Sequence, residues 1–380
     1  MAPNPFKSEM LKRATVAAAY PACLFLAGFL GLFLSFYFER PFVIFTDSPH
    51  GWLDYDTHVE QTMRVTEALD GWGKAWAYDV QLHAGFPNGT IFDADNKGWE
   101  IWTFALWKAG IPRGMAFNLY ILLAHLMVPW VVFASARLFR LDRWASLVAM
   151  VLGTMLWYFD AFPHWCWWIG MTAWGMAGYL ALLPLALFFR WIEDGRIWQA
   201  ALCAVFLAAG HLTHPYTFLV LGPAMAALYV RAFRRLDAKR HVGVAAIAAV
   251  TLAANAWWIA TAIRFWHYIT DSGVAFQGTL SYILTDYLGL IGEDPLVSGV
   301  VGNRTATRFL CIAAAIIGLA AWRRARDSRF MPFAIALGTL FAITYAGSYF
   351  WLTRQIQPYR FVLPAMYMSV RLSCGTHWKP

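Results

Sequence analysis

Charge is what this chain has least of. Only 14% of its 380 residues are Asp, Glu, Lys or Arg, against about 25% in an ordinary soluble domain. Sixty per cent are hydrophobic and the mean hydropathy is +0.49, which excludes a water-soluble globule and puts the chain in lipid. Cysteine is also scarce. Cys23, Cys166, Cys203, Cys311 and Cys374 show no CxxC pair and no metal-ligand spacing, so neither a disulfide framework nor a zinc site is indicated. Most lie in apolar runs, where cysteine behaves as a small hydrophobe. Internal repeats and low-complexity tracts are missing as well. The net charge of +8 does not point to nucleic acid, because the basic residues are scattered in short clusters between apolar runs, the pattern that sets membrane topology.

What is there in quantity is apolar sequence. Lys7, Lys12 and Arg13 precede a run over 14–37, too long for a signal-peptide core of roughly 7–15 residues and without a small-residue cleavage site. It reads as a retained first span with a cytoplasmic N-terminus. Further runs cover 115–136, 144–159, 171–190, 197–211, 216–233, 241–263, 309–322 and 330–352. The expectation is an all-α polytopic membrane protein, one transmembrane domain over 1–380 with nine to ten helices. Spans two to seven fall within 115–263, and spans eight and nine within 309–352. A partial tenth starts at Phe361 and is interrupted by Arg371, which reads as a truncated or frameshifted end. Alternating the spans puts Arg137, Arg140, Arg143, Arg190, Arg196, the Arg231 to Arg240 cluster and the Arg323 to Arg329 cluster on the cytoplasmic side. Two long loops, 38–114 and 264–308, then face outward.

The first outer loop is the acidic part of the chain. It holds eleven of the 22 Asp and Glu residues between Glu39 and Glu100, a concentration that makes it the place to look for chemistry. Thr57-x-x-Glu60 matches a capping box and predicts a helix from Thr57 to Leu69, with Asp56, Glu60 and Arg64 on one face. Asp54 and Asp56 are candidates for a general base, or for holding a divalent cation such as Mg²⁺ or Mn²⁺, which take carboxylate oxygens and complete their shell with water. The competing explanation is that both carboxylates serve the helix N-terminus. His58 is a possible neighbour of the site, and Asp93 and Asp95 form a second acidic cluster after the turn-forming Gly85 to Gly89 segment.

Three other outer segments carry polar groups. His211 and His214, with Pro215, mark a break between two spans. The aromatic loop from Phe162 to Trp168 suits the headgroup layer or a sugar-stacking surface. Gln357-Pro358-Tyr359-Arg360 opens the last run, and an arginine there suits a lipid-linked phosphate through its two-pronged donor set. Arg304, Arg308 and Lys74 are weaker candidates for the same role.

One span followed by an outer loop with Asp54-x-Asp56-x-His58 and an arginine-bearing helix resembles the GT-C superfamily of integral-membrane glycosyltransferases. Asp56-Thr57-His58, Arg64, Glu67-Ala68-Leu69, Gly71, Trp76 and Gly85-Phe86-Pro87 are similar to the bacterial 6-pyruvoyl-tetrahydropterin synthase-related and arabinofuranosyltransferase-like membrane proteins. So are Leu212-Thr213-His214-Pro215 and Gln357-Pro358-Tyr359-Arg360. The resemblance spans most of 14–370. It implies a polyprenyl-phosphate-linked sugar as donor, a glycan or lipid acceptor, and an active site on the extracytoplasmic face of a bacterial inner membrane. Asp54 or Asp56 would act as catalytic base, with His58, Glu60, Arg64, His211, His214, Gln357 and Arg360 lining the substrate. The alternative is a transporter or flippase for lipid-linked glycans, with His125 as the clearest ionisable residue inside a span, or another polytopic membrane protein without catalysis. A haem-binding redox subunit using His125, His164, His211 or His214 is a third class.

Overall fold

The computed structural model describes residues 5–80, 85–89, 96–268, 273–288 and 305–373. Asp93, Asp95 and Arg304 lie outside the described residues. The described residues form helices and one two-stranded antiparallel sheet. In order they are α1 (Pro5–Phe38), α2 (Pro41–Ile44), α3 (Asp54–Trp72), the hairpin strands β1 (Ala77–Asp79) and β2 (Phe86–Asn88), α4 (Lys97–Lys108), α5 (Arg113–Leu138), α6 (Arg143–Phe159), α7 (Ala161–Ile169), α8 (Thr172–Leu180), α9 (Leu182–Asp194), α10 (Ile197–Thr213), α11 (Thr217–Ala232), α12 (Ala238–Arg264), α13 (Tyr282–Leu288), α14 (Thr305–Arg324), α15 (Phe330–Ala346), α16 (Trp351–Arg354) and α17 (Val362–Ser373). The hairpin pairs antiparallel, Tyr78 opposite Pro87.

Each expected apolar run is helical. By length and composition, however, five stretches among the described residues can cross a membrane on their own: Ala19–Phe38, Arg113–Leu138, Thr172–Asp194, Ala238–Arg264 and Phe330–Tyr349. The α6–α7 pair, bent by 58° at Asp160, makes a sixth if it acts as one span. The nine-to-ten expected from the runs is thus larger than the number that stand alone. For two of them the difference is length: α10 has 17 residues and α11 has 16, which at ~1.5 Å per residue fall short of a ~30 Å hydrocarbon layer; α14, with 20 residues, is not set apart by length.

Helix ends follow local chemistry. Asp142 caps α6 by accepting from the N–H groups of Trp144 and Ala145, and Asp237 caps α12 by accepting from that of Arg240, each satisfying donors the helix leaves open. Gly73 and Gly195 close α3 and α9 in the left-handed conformation. The α8–α9 stretch is wholly buried and forms the centre, where Trp157, Trp174, Tyr179 and Tyr367 pack with Phe117. α5 touches α1, α4, α6, α8 and α9 around it. α1 and α12 flank the bundle, and α1 turns Phe25, Phe29 and Phe33 outward, as lipid-facing helices do. Close approach of α1 to α5 rests on Gly28 and Gly31, where an added Cβ would come within 2.9 Å of Trp130 and Pro129.

The bundle has two chemically different ends. At one, Arg140 and Arg190 pair with Asp194, Arg235 pairs with Glu193, Arg329 pairs with Asp327, and Arg231 donates to the Ser328 carbonyl. These contacts gather four of the basic clusters read from the sequence. The other end carries α3, α4, the hairpin, α7 and the His214 and Arg360 turns, and is called the α3 face below.

Candidate functional site

The site is built on the first turn of α3. The helix starts at Asp54, three residues before the expected Thr57, so the capping box does not form: Thr57 lies inside the helix and the N-cap position is Leu53, with no side-chain cap. Asp54 and Asp56 both fall in the first turn, where open N–H groups favour anions. Both are exposed, and neither carboxylate has a hydrogen-bond or ion-pair partner among the described residues. Two residues apart on a helix, they project about 200° apart around its axis. Asp54 lies against Gly170, where an added Cβ would sit 2.9 Å from Asp54 Cβ; Asp56 Oδ1 lies over Gly51. Residues that diverge like this do not fit a shared cation, and among the described residues no three His, Cys, Asp or Glu side chains converge.

Between the two aspartates, Tyr55 points inward and pins the helix. Its hydroxyl donates to the Trp167 carbonyl and meets Thr172 Oγ1 at 2.8 Å, fully buried. Burial and the Glu39 charge push the Tyr55 phenol well above its ordinary pKa, so it stays a neutral anchor. Thr172 opens α8, and two residues later Trp174 links the remaining segments. Its indole N–H donates to the Arg360 carbonyl at 3.2 Å, and its ring meets those of His214 at 4.7 Å and Phe361 at 5.4 Å. The Arg360 guanidinium lies over the Phe276 ring at 4.7 Å. Asp54, His214 and Arg360, 306 residues apart from first to last, therefore share one region around the α7–α8 turn.

The other expected residues are placed as follows. His58 Nδ1 is 2.8 Å from Asn96 Nδ2 and its ring faces Trp99 at 5.9 Å, holding α3 to α4. Beside it Lys97 and Glu100 form a fully buried ion pair at 2.7 Å. Arg64 pairs with Glu60 at 3.0 Å, as the one-face expectation required, and also with Asp79 at 3.2 Å and Glu67 at 3.7 Å. It is ten residues along α3 from Asp54, about 15 Å of helix rise, and three carboxylates answer its charge. Arg64 is a strut between α3 and the hairpin and not a phosphate clamp beside Asp54. His211 Nδ1 lies 2.7 Å from the Leu207 carbonyl, and His214 Nδ1 accepts from the Tyr216 N–H at 3.2 Å. Gln357 holds a left-handed conformation, φ 54°, just before Arg360. Leu53, φ 51°, precedes Asp54, and Phe276, φ 50°, lies under Arg360. Non-glycine residues in this region are strained and concentrate at functional sites; the two others, Arg140 and Arg326, simply follow helix C-termini.

Two clusters had no sequence signal. Arg308 is buried and bound on both sides: two parallel bonds to Asp160 at 2.8 and 2.9 Å, and one to Asp286 at 2.9 Å. Tyr359 and Tyr345 donate to Asp286 at 2.7 and 2.8 Å. Its weaker candidacy for a substrate phosphate fails because those carboxylates occupy its donors. The second cluster is Glu39 with His125. The Trp157 indole N–H donates to His125 Nδ1 at 2.9 Å, and an indole only donates, so the ring proton sits on Nε2, which faces Glu39 Oε1 at 3.3 Å. Partners 148 and 86 positions apart leave no local pattern to read. No family model matches this chain, and no curated protein matches it.

Proposed function

We propose that this chain is a membrane glycosyltransferase of the GT-C kind. It moves a sugar from a polyprenyl-phosphate donor to a hydroxyl of a glycan or lipid acceptor, with inversion at the anomeric carbon. The α3 face is extracytoplasmic under the positive-inside rule, since the basic clusters gather at the other end; in a bacterium this is the outer side of the inner membrane. Asp54 is the general base. Its carboxylate accepts the acceptor hydroxyl proton as that oxygen bonds to the anomeric carbon, while the bond from that carbon to the donor phosphate oxygen breaks. The phosphate departs with the electron pair, and Arg360 stabilises the growing negative charge.

The observation that carries this reading is an exposed carboxylate without a partner among the described residues, seated against the turn that also holds His214 and Arg360. Asp54 is favoured over Asp56 because it faces Gly170 and that turn, whereas Asp56 faces the Gly51 loop. Trp52 and Trp168, with rings 6.5 Å apart and both partly exposed, flank Asp54 and offer a stacking surface to a sugar ring. The test is sugar transfer in membranes supplied with a panel of polyprenyl-phosphate sugars. Asp54→Asn should lower transfer by about two to four orders of magnitude, the worth of a general base, at unchanged protein level. Wild-type transfer by that variant removes the base assignment.

A second reading, transport of a lipid-linked glycan, is favoured by the buried Glu39 and His125 contact, because ionisable groups inside a membrane domain mark transport pathways. Glycan uptake into vesicles that is lost in Glu39→Gln and kept in Asp54→Asn would put transport first.

A further inference from the structure

We infer that the end of the bundle opposite the α3 face carries a binding site for an anionic phospholipid, with Arg323 and Arg324 holding its phosphate. A cavity of about 610 Å³ opens there, lined by Leu319, Ala320, Arg323, Arg324 and Phe330. This inference is independent of the transferase reading, because it concerns the far end of α14 from Arg308.

Three observations converge on it. First, most guanidiniums at this end are already committed. Arg140 and Arg190 pair with Asp194, Arg235 with Glu193, and Arg329 with Asp327, while Arg240 donates to the Ile192 carbonyl. Arg323 and Arg324 make no ion pair or hydrogen bond among the described residues, and both side chains are exposed on the cavity. Their donor sets are open, and an arginine fork matches two phosphate oxygens. Second, the rest of the lining is apolar. Leu319, Ala320 and Phe330 give a free phosphate ion nothing to bind, but they suit the glycerol and upper acyl region of a lipid. Third, the apolar surface continues in the right direction. Ile316, Ala320 and Arg324 recur every four residues and so form one stripe up α14. Ile316 and Ile317 are each about three-fifths exposed, as a path for an acyl chain requires. Cationic pockets between membrane helices on the positive side are the usual seats of anionic headgroups.

The position of the cavity gives its occupant a consequence. It is lined by both α14 and α15, whose ends here are joined by a short turn in which Arg329 is stacked over the buried Trp322 at 4.7 Å. A lipid seated between them ties the two helices and is therefore expected to stabilise the folded chain.

The experiment uses the full chain in neutral detergent and reads thermal unfolding and native mass spectra. Mixed micelles containing phosphatidylglycerol are added, with phosphatidylcholine micelles and inorganic phosphate as the other two arms. Phosphatidylglycerol should raise Tm and appear as a bound adduct, and neither of the other arms should do so. Arg323→Gln with Arg324→Gln should weaken the adduct at least about tenfold. Arg234→Gln, at the same end but not among the residues lining the cavity, should leave it unchanged. Should the double glutamine variant not fold, Arg323→Lys with Arg324→Lys keeps the charge and loses the fork, and is expected to weaken the adduct by a smaller factor. The proposal is overturned if phosphatidylglycerol binds wild type and both double variants alike, if Arg234→Gln weakens it equally, or if inorganic phosphate reproduces the shift.

Discussion

Two pairs of aspartates lie on the α3 face, and they are treated in opposite ways. Asp160 and Asp286 are buried and share Arg308 between them; Asp160 also accepts from the Phe162 N–H, and Asp286 from the hydroxyls of Tyr345 and Tyr359. Asp54 and Asp56 are exposed, with no side-chain partner among the described residues. A buried carboxylate with both oxygens bonded to protein donors is fixed in geometry and closed to a substrate. An exposed one with open lone pairs contributes little to the fold and remains available to a ligand. The contrast separates acids that hold α13 and α14 to the bundle from acids whose carboxylates stay open to a ligand.

The largest effect expected from breaking this contrast is on the buried pair. Arg308→Met removes the shared cation and leaves two carboxylates in a buried site, at a cost of about 3–5 kcal/mol. Thermal unfolding in detergent should reveal a large loss of stability. A variant as stable as wild type would mean that Asp160 and Asp286 are not held by Arg308. On the exposed pair, Asp54→Asn should do the reverse: sugar transfer falls by the two to four orders of magnitude stated above, about 3–5 kcal/mol of barrier, while Tm stays put. A Tm drop as large as that of Arg308→Met would place Asp54 with the structural acids.

Gly170 lies between these extremes because it joins structure to site. It has φ 114°, and an added Cβ would come within 2.6 Å of the Tyr55 backbone nitrogen and 2.9 Å of Asp54. Gly170→Ala is strained both ways, at about 1–3 kcal/mol, and moves the Asp54 turn. Transfer should fall more than stability does, read as rate against Tm. Equal losses in both would show that the turn serves folding alone.

The buried pair also has a pH signature. Burial raises the Asp286 carboxyl above its ordinary pKa, against the Arg308 charge and the hydrogen bonds from Tyr359 and Tyr345, which pull it down. A raised folded pKa means the folded chain holds this proton more tightly than the unfolded chain. Its contribution to stability is therefore full below the ordinary carboxylate value and lost as pH rises through the folded one. Unfolding midpoints measured across the acid range should carry this component in wild type and lose it in Asp286→Asn. An unchanged pH profile in that variant would show that Asp286 is not the group responsible.

How far the sequence foretold all this depends on how local each cause is. Apolar runs and basic clusters are local patterns, so every run became a helix and the Arg140, Arg190, Arg235 and Arg329 clusters meet at one end. The acidic loop was likewise visible, and so was the one-face pairing of Glu60 with Arg64. The start of α3 was misread because Thr57 and Glu60 have the capping-box spacing while the Tyr55 anchor, buried against Trp167 and Thr172, fixes the helix earlier. The Arg308 and Glu39 clusters were not legible, since each joins side chains from separate helices and a lone arginine or histidine in a run looks the same wherever its partner lies.

The smallest expected effect is the one that decides between the two exposed acids. Asp56 sits in the first turn of α3, two residues from Asp54, but over Gly51 on the other side of the helix. Its charge should stabilise the helix N-terminus by about 0.3–1 kcal/mol at an exposed position. Asp56→Asn should therefore lower Tm slightly, less so in high salt because the interaction is screened, and leave sugar transfer within a few-fold of wild type. A loss of transfer matching that of Asp54→Asn would mean that the acceptor reaches both sides of the first turn. The assignment of a single base to the Gly170 side would then give way to two carboxylates acting together.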